Sequence, residues 1–217
     1  MKKIVIFGTG LIAEMAHFYF KNDTEHDVVA FTNGQDFMTE ATFSGLPVVP
    51  FEELEKNYRP DDYSLFIALG YKDRNKIRER RFLEAKQKGY RLETYISSKA
   101  TYYGTPVGEN CFIFENNVIQ PFVSIGNNVT LWSGNHIGHH STIMDNCFIS
   151  SHVVVSGVCT VKKNCFLGVN STLRDNITIG SHTIVGAGAV IMEDCPDYSL
   201  IVPDLSGQKV IVKEVSK

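Results

Sequence analysis

Val, Ile or Leu recurs at every sixth position from Val107 to Ile191, through Ile113, Ile119, Ile125, Leu131, Ile137, Ile143, Ile149, Val155, Val161, Leu167, Leu173, Ile179 and Val185. A second column, two residues upstream of each, is compact or β-branched at Thr105, Cys111, Val123, Val129, Ser141, Cys147, Val153, Cys159, Cys165, Ser171, Ile177, Thr183 and Ala189, with Asn117 and Asn135 as the departures. Side chains two apart share one face of a strand. Each hexad is therefore a short strand followed by a turn. Such a unit cannot bury its apolar face alone, so successive hexads must coil and stack around a common core. The register runs unbroken, so no long loop leaves the array within it.

The pattern before residue 99 is different. Lys3 to Phe7 is a compact apolar strand, Gly8-Thr9-Gly10 a tight turn, and Leu11 to Phe20 a helix. Val28 to Phe31 and Leu65 to Leu69 read as further strands, with Pro47 and Pro50 marking a loop before a short helix near Glu52 to Tyr58. A charged helix from about Asp73 to Lys88 stops at Gly89, and its Arg78 to Arg81 run reads as a solvated face. Alternating strands and helices predict an α/β domain with a small Rossmann-like parallel sheet, whose ligand crevice lies at the carboxyl ends of the strands. Gly8, Gly10, Asn33, Gly70 and Tyr71 occupy those ends. A nicotinamide dinucleotide is disfavoured, because Ala13 stands at the third glycine position and Asn33 where an acid would hold the ribose. A glycine turn at a helix start still suits phosphate.

The 217 residues, 43% hydrophobic, are enough for two modest domains, residues 1–98 and 99–217 with a carboxyl-terminal tail. A net charge of -3 gives no electrostatic case for nucleic acid or an anionic membrane. No apolar run has the length of a membrane span, and the start is not that of a signal peptide, so a cytoplasmic location is expected. Cys111, Cys147, Cys159, Cys165 and Cys195 are congruent modulo six. They read as reduced, buried hydrophobes rather than disulfides or nucleophiles.

The repeat resembles the hexapeptide-repeat, left-handed parallel β-helix family, whose pattern is an aliphatic residue, often followed by Gly, with a small residue at the fifth place. Gly108, Gly126, Gly138, Gly168, Gly180 and Gly186 fill the glycine slot. The resemblance implies three hexads per triangular coil, about five coils, and residues eighteen apart stacked in adjacent coils. A glycine-turn α/β domain followed by such repeats resembles the bacterial acyltransferases of nucleotide-linked amino sugars, including the enzyme acting on a UDP-linked bacillosamine precursor, and the sialic acid O-acetyltransferases. The local match is best over Asn164 to Ser171 and Ser151 to Gly157. It implies acetyl-CoA as co-substrate, a UDP- or dTDP-linked amino sugar held by the first domain, a role in surface glycan (lipopolysaccharide) synthesis, and a homotrimer. It also implies a cofactor contact at Gly157, Gly168, Asn170, Gly186, Gly188 and Pro203, with no metal.

His136, His139, His140 and His152 cluster in the sequence, and acyl transfer needs a base that titrates near neutrality. The family's catalytic histidine aligns with His139. The acid that follows it in the bacillosamine enzyme is His140 here, and a second active-site histidine aligns with Phe148. Gly157 lies eighteen residues beyond His139, so it is expected one coil along at the same corner, with its amide as an oxyanion donor. Trp132 is expected at a subunit boundary. Two other readings stay open: a zinc hydratase like the γ-type carbonic anhydrases, with these histidines as ligands, and a non-catalytic trimeric scaffold. O-acylation of a sugar is an alternative to N-acylation.

Overall fold

The computed structural model describes residues 2–203 and 210–214, and the chain forms two compact units, Met1–Gly70 with Arg78–Thr94, and Tyr71–Ile77 with Tyr95–Lys217. The first contains β1 (Lys3–Phe7), α1 (Leu11–Asp23), β2 (Asp27–Asn33), β3 (Thr42–Phe43), β4 (Leu46–Pro50) and β5 (Ser64–Ile67), followed by α2 (Lys76–Gln87). The sheet order is β3-β4-β2-β1-β5. The β1, β2 and β5 strands run parallel, as expected, and β4 joins them in parallel where Pro47 and Pro50 were expected to mark a loop. The β3 strand is antiparallel to β4, folded back at Ser44-Gly45, both at positive φ, so the sheet is mixed rather than purely parallel.

Ile4 to Phe7 are all buried, as a strand covered on both faces requires. One face takes the Ala13, Ala16 and Phe20 stripe of α1, with Phe20 edge-on to Phe66 at 5.1 Å. The other packs Val5, Phe7, Leu65 and Ile67 against Phe51, Leu54, Phe82 and Ala85. Phe51–Lys56 is a 3-10 helix, tighter than the helix expected near Glu52 to Tyr58. The expected start of α2 at Asp73 is also corrected. Asp73, Arg74 and Asn75 sit at φ 51, 48 and 64, in the left-handed region, so a right-handed helix begins only at Lys76. Nor is Arg78 solvated: it is 1% exposed, on the same i, i+4, i+7 stripe as Phe82 and Ala85.

The second unit is a left-handed parallel β-helix of two-residue strands in three sheets. Between the end coils each strand pairs in parallel with the one eighteen residues on, as in Leu131 with Ile149 or Ile137 with Val155. The aliphatic column is the core. The helix starts earlier than the expected boundary, because Tyr95–Ile96 and Thr101–Tyr102 form a first coil paired seventeen residues ahead, with Phe112–Ile113 and Val118–Ile119. At the other end the step shortens to sixteen, so Cys195 takes a place in the aliphatic column opposite Ile179. No helix among the described residues is long and apolar enough to cross a membrane.

Two local devices make the coil. One is the left-handed corner residue just before each compact one, as at Asn110, Asn128, Asn146 and Asn164, whose buried amides also bond to one another along the axis, at 2.8 Å from Asn110 to Asn128 and from Asn128 to Asn146. The second is a donor in the compact column. Cys111, Cys147, Cys159 and Cys165 each donate Sγ–H to a carbonyl fifteen residues ahead at 3.0–3.1 Å, and Ser141 and Asn117 do the same with Oγ and Nδ2. The column is thus small enough for the core and polar enough to satisfy carbonyls that the turn leaves without a ladder partner. The glycine slot has a steric cause. A Cβ at Gly138 lies 2.6 Å from the backbone of Ser156 and Gly157 in the next coil. Outside one sheet, Phe112, Phe114, Trp132, Phe148 and Phe166 form a continuous aromatic column, with Tyr71 resting on Phe148 and Phe166. Trp132 is half-buried in this column, between Phe114 and Phe148.

Burial pushes the Cys159 and Cys165 thiols up and Cys195 from 9.0 up to about 11, which keeps them protonated as donors. Because only the folded chain disfavours the thiolate, stability is unaffected by these groups below about pH 9 and falls as pH rises from there past 11. Chemical denaturation at pH 7, 9 and 10.5 checks this. Val158 is a β-branched residue at φ 61, in a corner position that Asn176 fills one coil later. Val158→Asn is expected to raise stability by about 1 kcal/mol, read from the same unfolding curves.

Candidate active site

His139 and His140 lie at the corner that also carries Phe122, Val158 and Asn176, and both are exposed. His140 is the left-handed residue, at φ 58. That conformation turns its ring back so that its Nδ1 lies 3.1 Å from His139 Nδ1, and the face of Phe122 supports it at 4.6 Å. The His139 backbone N–H donates to Gln120 Oε1 at 2.8 Å, a contact that sequence reasoning missed. Its carbonyl accepts from Val158 N–H at 2.8 Å. The ring of His139 lies over Gly157, where a Cβ meets its Cε1 and Nε2 at 2.7 Å. Gly157 is glycine because the imidazole occupies that space. Its carbonyl accepts from Asn176, while its N–H has no hydrogen-bond partner among the described residues.

With one proton between two facing Nδ1 atoms, one ring donates and the other accepts. If His139 donates, its Nε2 keeps a lone pair and is a base next to a free amide donor. His136 is half-buried on the sheet that precedes this corner, paired with Val118 and Val154. His152 is at a different corner, exposed, with its ring over Gly134. Among the described residues no three His, Cys, Asp or Glu side chains of one chain gather into a group that could hold a metal ion. Phe148 is buried in the aromatic column, away from solvent.

The residues expected at the cofactor fall in two places. Gly157 is beside His139, whereas Asn170 and Gly188 stack along the His152 corner, at φ 57 and 72. Gly168 and Gly186 occupy the preceding glycine slot, and a Cβ at Gly186 lies 3.1 Å from Pro203 Cδ.

In the first unit, Gly8 has φ +119 and donates to the Thr32 carbonyl, Gly10 begins α1, and Gly70 faces Ile12, so all three border the carboxyl edge of the sheet. Asn33 braces this edge: Nδ2 donates to Thr9 Oγ1 at 3.1 Å and Oδ1 accepts from Gly34 N–H at 3.0 Å. Beside it a cavity of about 160 Å³ is lined by Thr9, Met38, Thr39, Glu40, Thr42, Phe43 and Val48. A larger hollow of about 480 Å³, lined by Lys2, Lys3, Asp61, Asp62 and Arg91, opens at the amino ends of β1 and β5, where a parallel sheet has no glycine turn to offer phosphate. Tyr71, expected in the crevice, instead belongs to the second unit, with its ring 4.5 Å from Phe166.

Residues 105–139, 123–157 and 159–192 match the model of the bacterial transferase hexapeptide repeat (six repeats). The matched residues all lie within the β-helix. No curated protein sequence matched the chain. PerB from Caulobacter crescentus, solved in complex with CoA and GDP-perosamine, is 25% identical with a TM-score of 0.83, covering 98% of each chain. A variant of perosamine N-acetyltransferase from the same organism, with the same ligands, is 24% identical at a TM-score of 0.83, covering 98% of this chain and 97% of that one. The acetyltransferase domain of PglB from Neisseria gonorrhoeae, in complex with acetyl coenzyme A, is 21% identical at a TM-score of 0.77, covering 92% and 95%. The likeness to all three spans both units of the chain, beyond the matched repeats.

Gly157→Ala places a methyl where the His139 ring lies, and a side chain moves more readily than a ladder. The expected result is a displaced imidazole with a near-unchanged melting temperature. A shifted His139 NMR resonance, with the other histidines unmoved, checks it.

Proposed function

We propose that the protein is an acetyl-CoA-dependent acyltransferase that acetylates the amino group of a nucleotide-linked sugar, with His139 as general base. The observation that carries this reading is the His139 imidazole seated against Gly157, whose N–H is unengaged among the described residues. The solved structures of similar fold, holding CoA with GDP-perosamine or acetyl-CoA, support the reactant classes.

The thioester carbonyl lies with its oxygen toward Gly157 N–H. The sugar amine attacks the carbonyl carbon, and the oxygen takes up negative charge against that donor. As the C–N bond forms, the amine proton passes to His139 Nε2. His139 Nδ1–H stays on His140 Nδ1, which fixes the tautomer and takes the orienting place that an acid holds in the bacillosamine enzyme. Collapse breaks the C–S bond, and the departing thiolate takes the proton from His139. His140 is thus a positioning residue. In the first unit the glycine turn of Gly8 and Gly10, with Gly70 across the crevice, receives the nucleotide diphosphate, and Asn33 holds the turn through Thr9.

His139 and His140 are exposed, and an acyl transfer site excludes water. A homotrimer supplies the cover and brings the His152 corner of a second chain, with Asn170, Gly188 and the Gly168–Gly186 slot beside Pro203, to the Gly157 corner of the first. Closed cyclic symmetry is the common solution for such faces. His136, on the sheet between the two corners, then lines the same interface. The amino sugar product is of the kind built into bacterial surface glycans.

The test is a panel of UDP-, dTDP- and GDP-linked amino sugars incubated with acetyl-CoA, following thiol release. His139→Ala is expected to lower turnover by about 10²–10⁴-fold without loss of the oligomer or of acetyl-CoA binding. Near-normal turnover in His139→Ala, with abolition in His136→Ala or His152→Ala, moves the base to one of those residues.

A further inference from the structure

We infer that the cavity beside Thr9 reads the nucleobase and that Glu40 sets a preference for guanine. This rests on the nucleotide-sugar reading of the first unit and names the base that the reading leaves open. The cavity of about 160 Å³ has the scale of one planar ring system rather than of a whole nucleotide. It adjoins the glycine turn through Thr9, so a base in it leaves its diphosphate at the start of α1. Its far wall is chain peculiar to the link between β2 and β5: the loop after Phe37 and the β3–β4 hairpin. Phe43 is fixed there by an edge-on contact with Phe31 at 4.9 Å, and Met38 is the adaptable apolar surface opposite a ring.

The polar groups decide which ring. The Asn33 amide is engaged at both ends, with Gly34 and with Thr9, so it is a brace rather than a reader. Thr9 Oγ1 accepts from Asn33, which leaves its own proton for a ligand acceptor. Glu40 is the single charged side chain on the cavity wall, and it has no hydrogen bond or ion pair among the described residues. A carboxylate only accepts, and it binds best to two parallel donors. Guanine presents them on one edge, at N1–H and the 2-amino group. Uracil and thymine offer a single N–H between two carbonyl oxygens, one of which then faces the second carboxylate oxygen. Adenine and cytosine place an acceptor nitrogen beside the amino group. Guanine alone among the common bases matches an unengaged carboxylate on both oxygens.

Calorimetric titration of the full-length protein with GDP, UDP and dTDP tests the inference without catalysis. GDP is expected to bind about ten- to a hundredfold more tightly than either pyrimidine nucleotide, the range for hydrogen bonds to a charged group. Glu40→Gln and Glu40→Ala are expected to remove that advantage while leaving UDP affinity unchanged. Glu40 is exposed in a loop, and an unchanged melting temperature confirms that neither variant acts through folding. Tighter binding of UDP or dTDP, or a GDP preference that survives both variants, overturns the guanine assignment and leaves the nucleotide-sugar reading standing. Failure of all three nucleotides to bind overturns both.

Discussion

The hydrogen bond from one coil to the next, closed every eighteen residues, is the constraint on which the second unit depends. It is parallel, so the strands of successive coils run the same way and each hexad meets the same environment one coil later. Coil-to-coil spacing is therefore fixed near that of adjacent strands, about 4.8 Å. At that spacing a side chain on one coil can occupy the space of a missing one on the next. Gly138 admits the backbone of residues 156 and 157 in this way, and Gly157 admits the ring of His139. The same geometry that requires glycine in the fold produces the pairing of imidazole and amide at the corner.

The ladder also explains why polar groups line a hydrophobic core. A triangular coil turns three times, and each turn carries a carbonyl away from its neighbour. Thiol, hydroxyl and amide donors of the compact column meet those carbonyls from inside. Cysteine is well suited, being apolar in bulk and a weak donor at its tip. In the shortened last coil Thr183 reaches the Pro196 carbonyl thirteen rather than fifteen residues ahead, so the bond follows the corner and not the sequence distance. The donor is a property of place.

How much of this was legible in the sequence follows from the same spacing. The stack from Val107 to Ile191, and the meeting of His139 with Gly157, are arithmetic once the coil holds eighteen residues. Ile96 and Tyr102 are six apart but fall outside the sequence pattern, because Val107 follows Tyr102 by five and breaks the phase. Cys195 kept the phase in sequence and lost it in space, through the two-residue shortening. The charge of Arg78 points to solvent, whereas its position on the α2 stripe buries it. The aromatic column was invisible for a different reason. Phe112, Trp132, Phe148 and Phe166 lie outside the repeat's inward positions, and the docking of residues 71–77 covers part of that face: Tyr71 lies edge-on to Phe148 and tilted against Phe166, and the Asn75 amide donates to the Cys165 carbonyl at 3.1 Å. No periodicity announces a strap held by three left-handed residues.

The replacement of an acid by His140 bears on which acceptor the proposed reaction serves. An acid beside a catalytic imidazole stabilises the imidazolium that forms as a proton is taken, and a neutral imidazole at 3.1 Å does so less. A hydroxyl acceptor needs that stabilisation most, since its oxygen becomes nucleophilic only as its proton leaves. An amine in its neutral form already carries a lone pair. It attacks first and becomes strongly acidic after the C–N bond has formed, so its proton passes readily to a nearby imidazole. A His–His pair is thus adequate for N-acylation and poorly matched to O-acylation. Converting His140 to Glu restores the anionic partner and is expected to accelerate transfer to a hydroxyl far more than transfer to an amine. Parallel rates on matched amino and hydroxy sugar nucleotides measure the difference, and equal acceleration of both removes this argument for nitrogen.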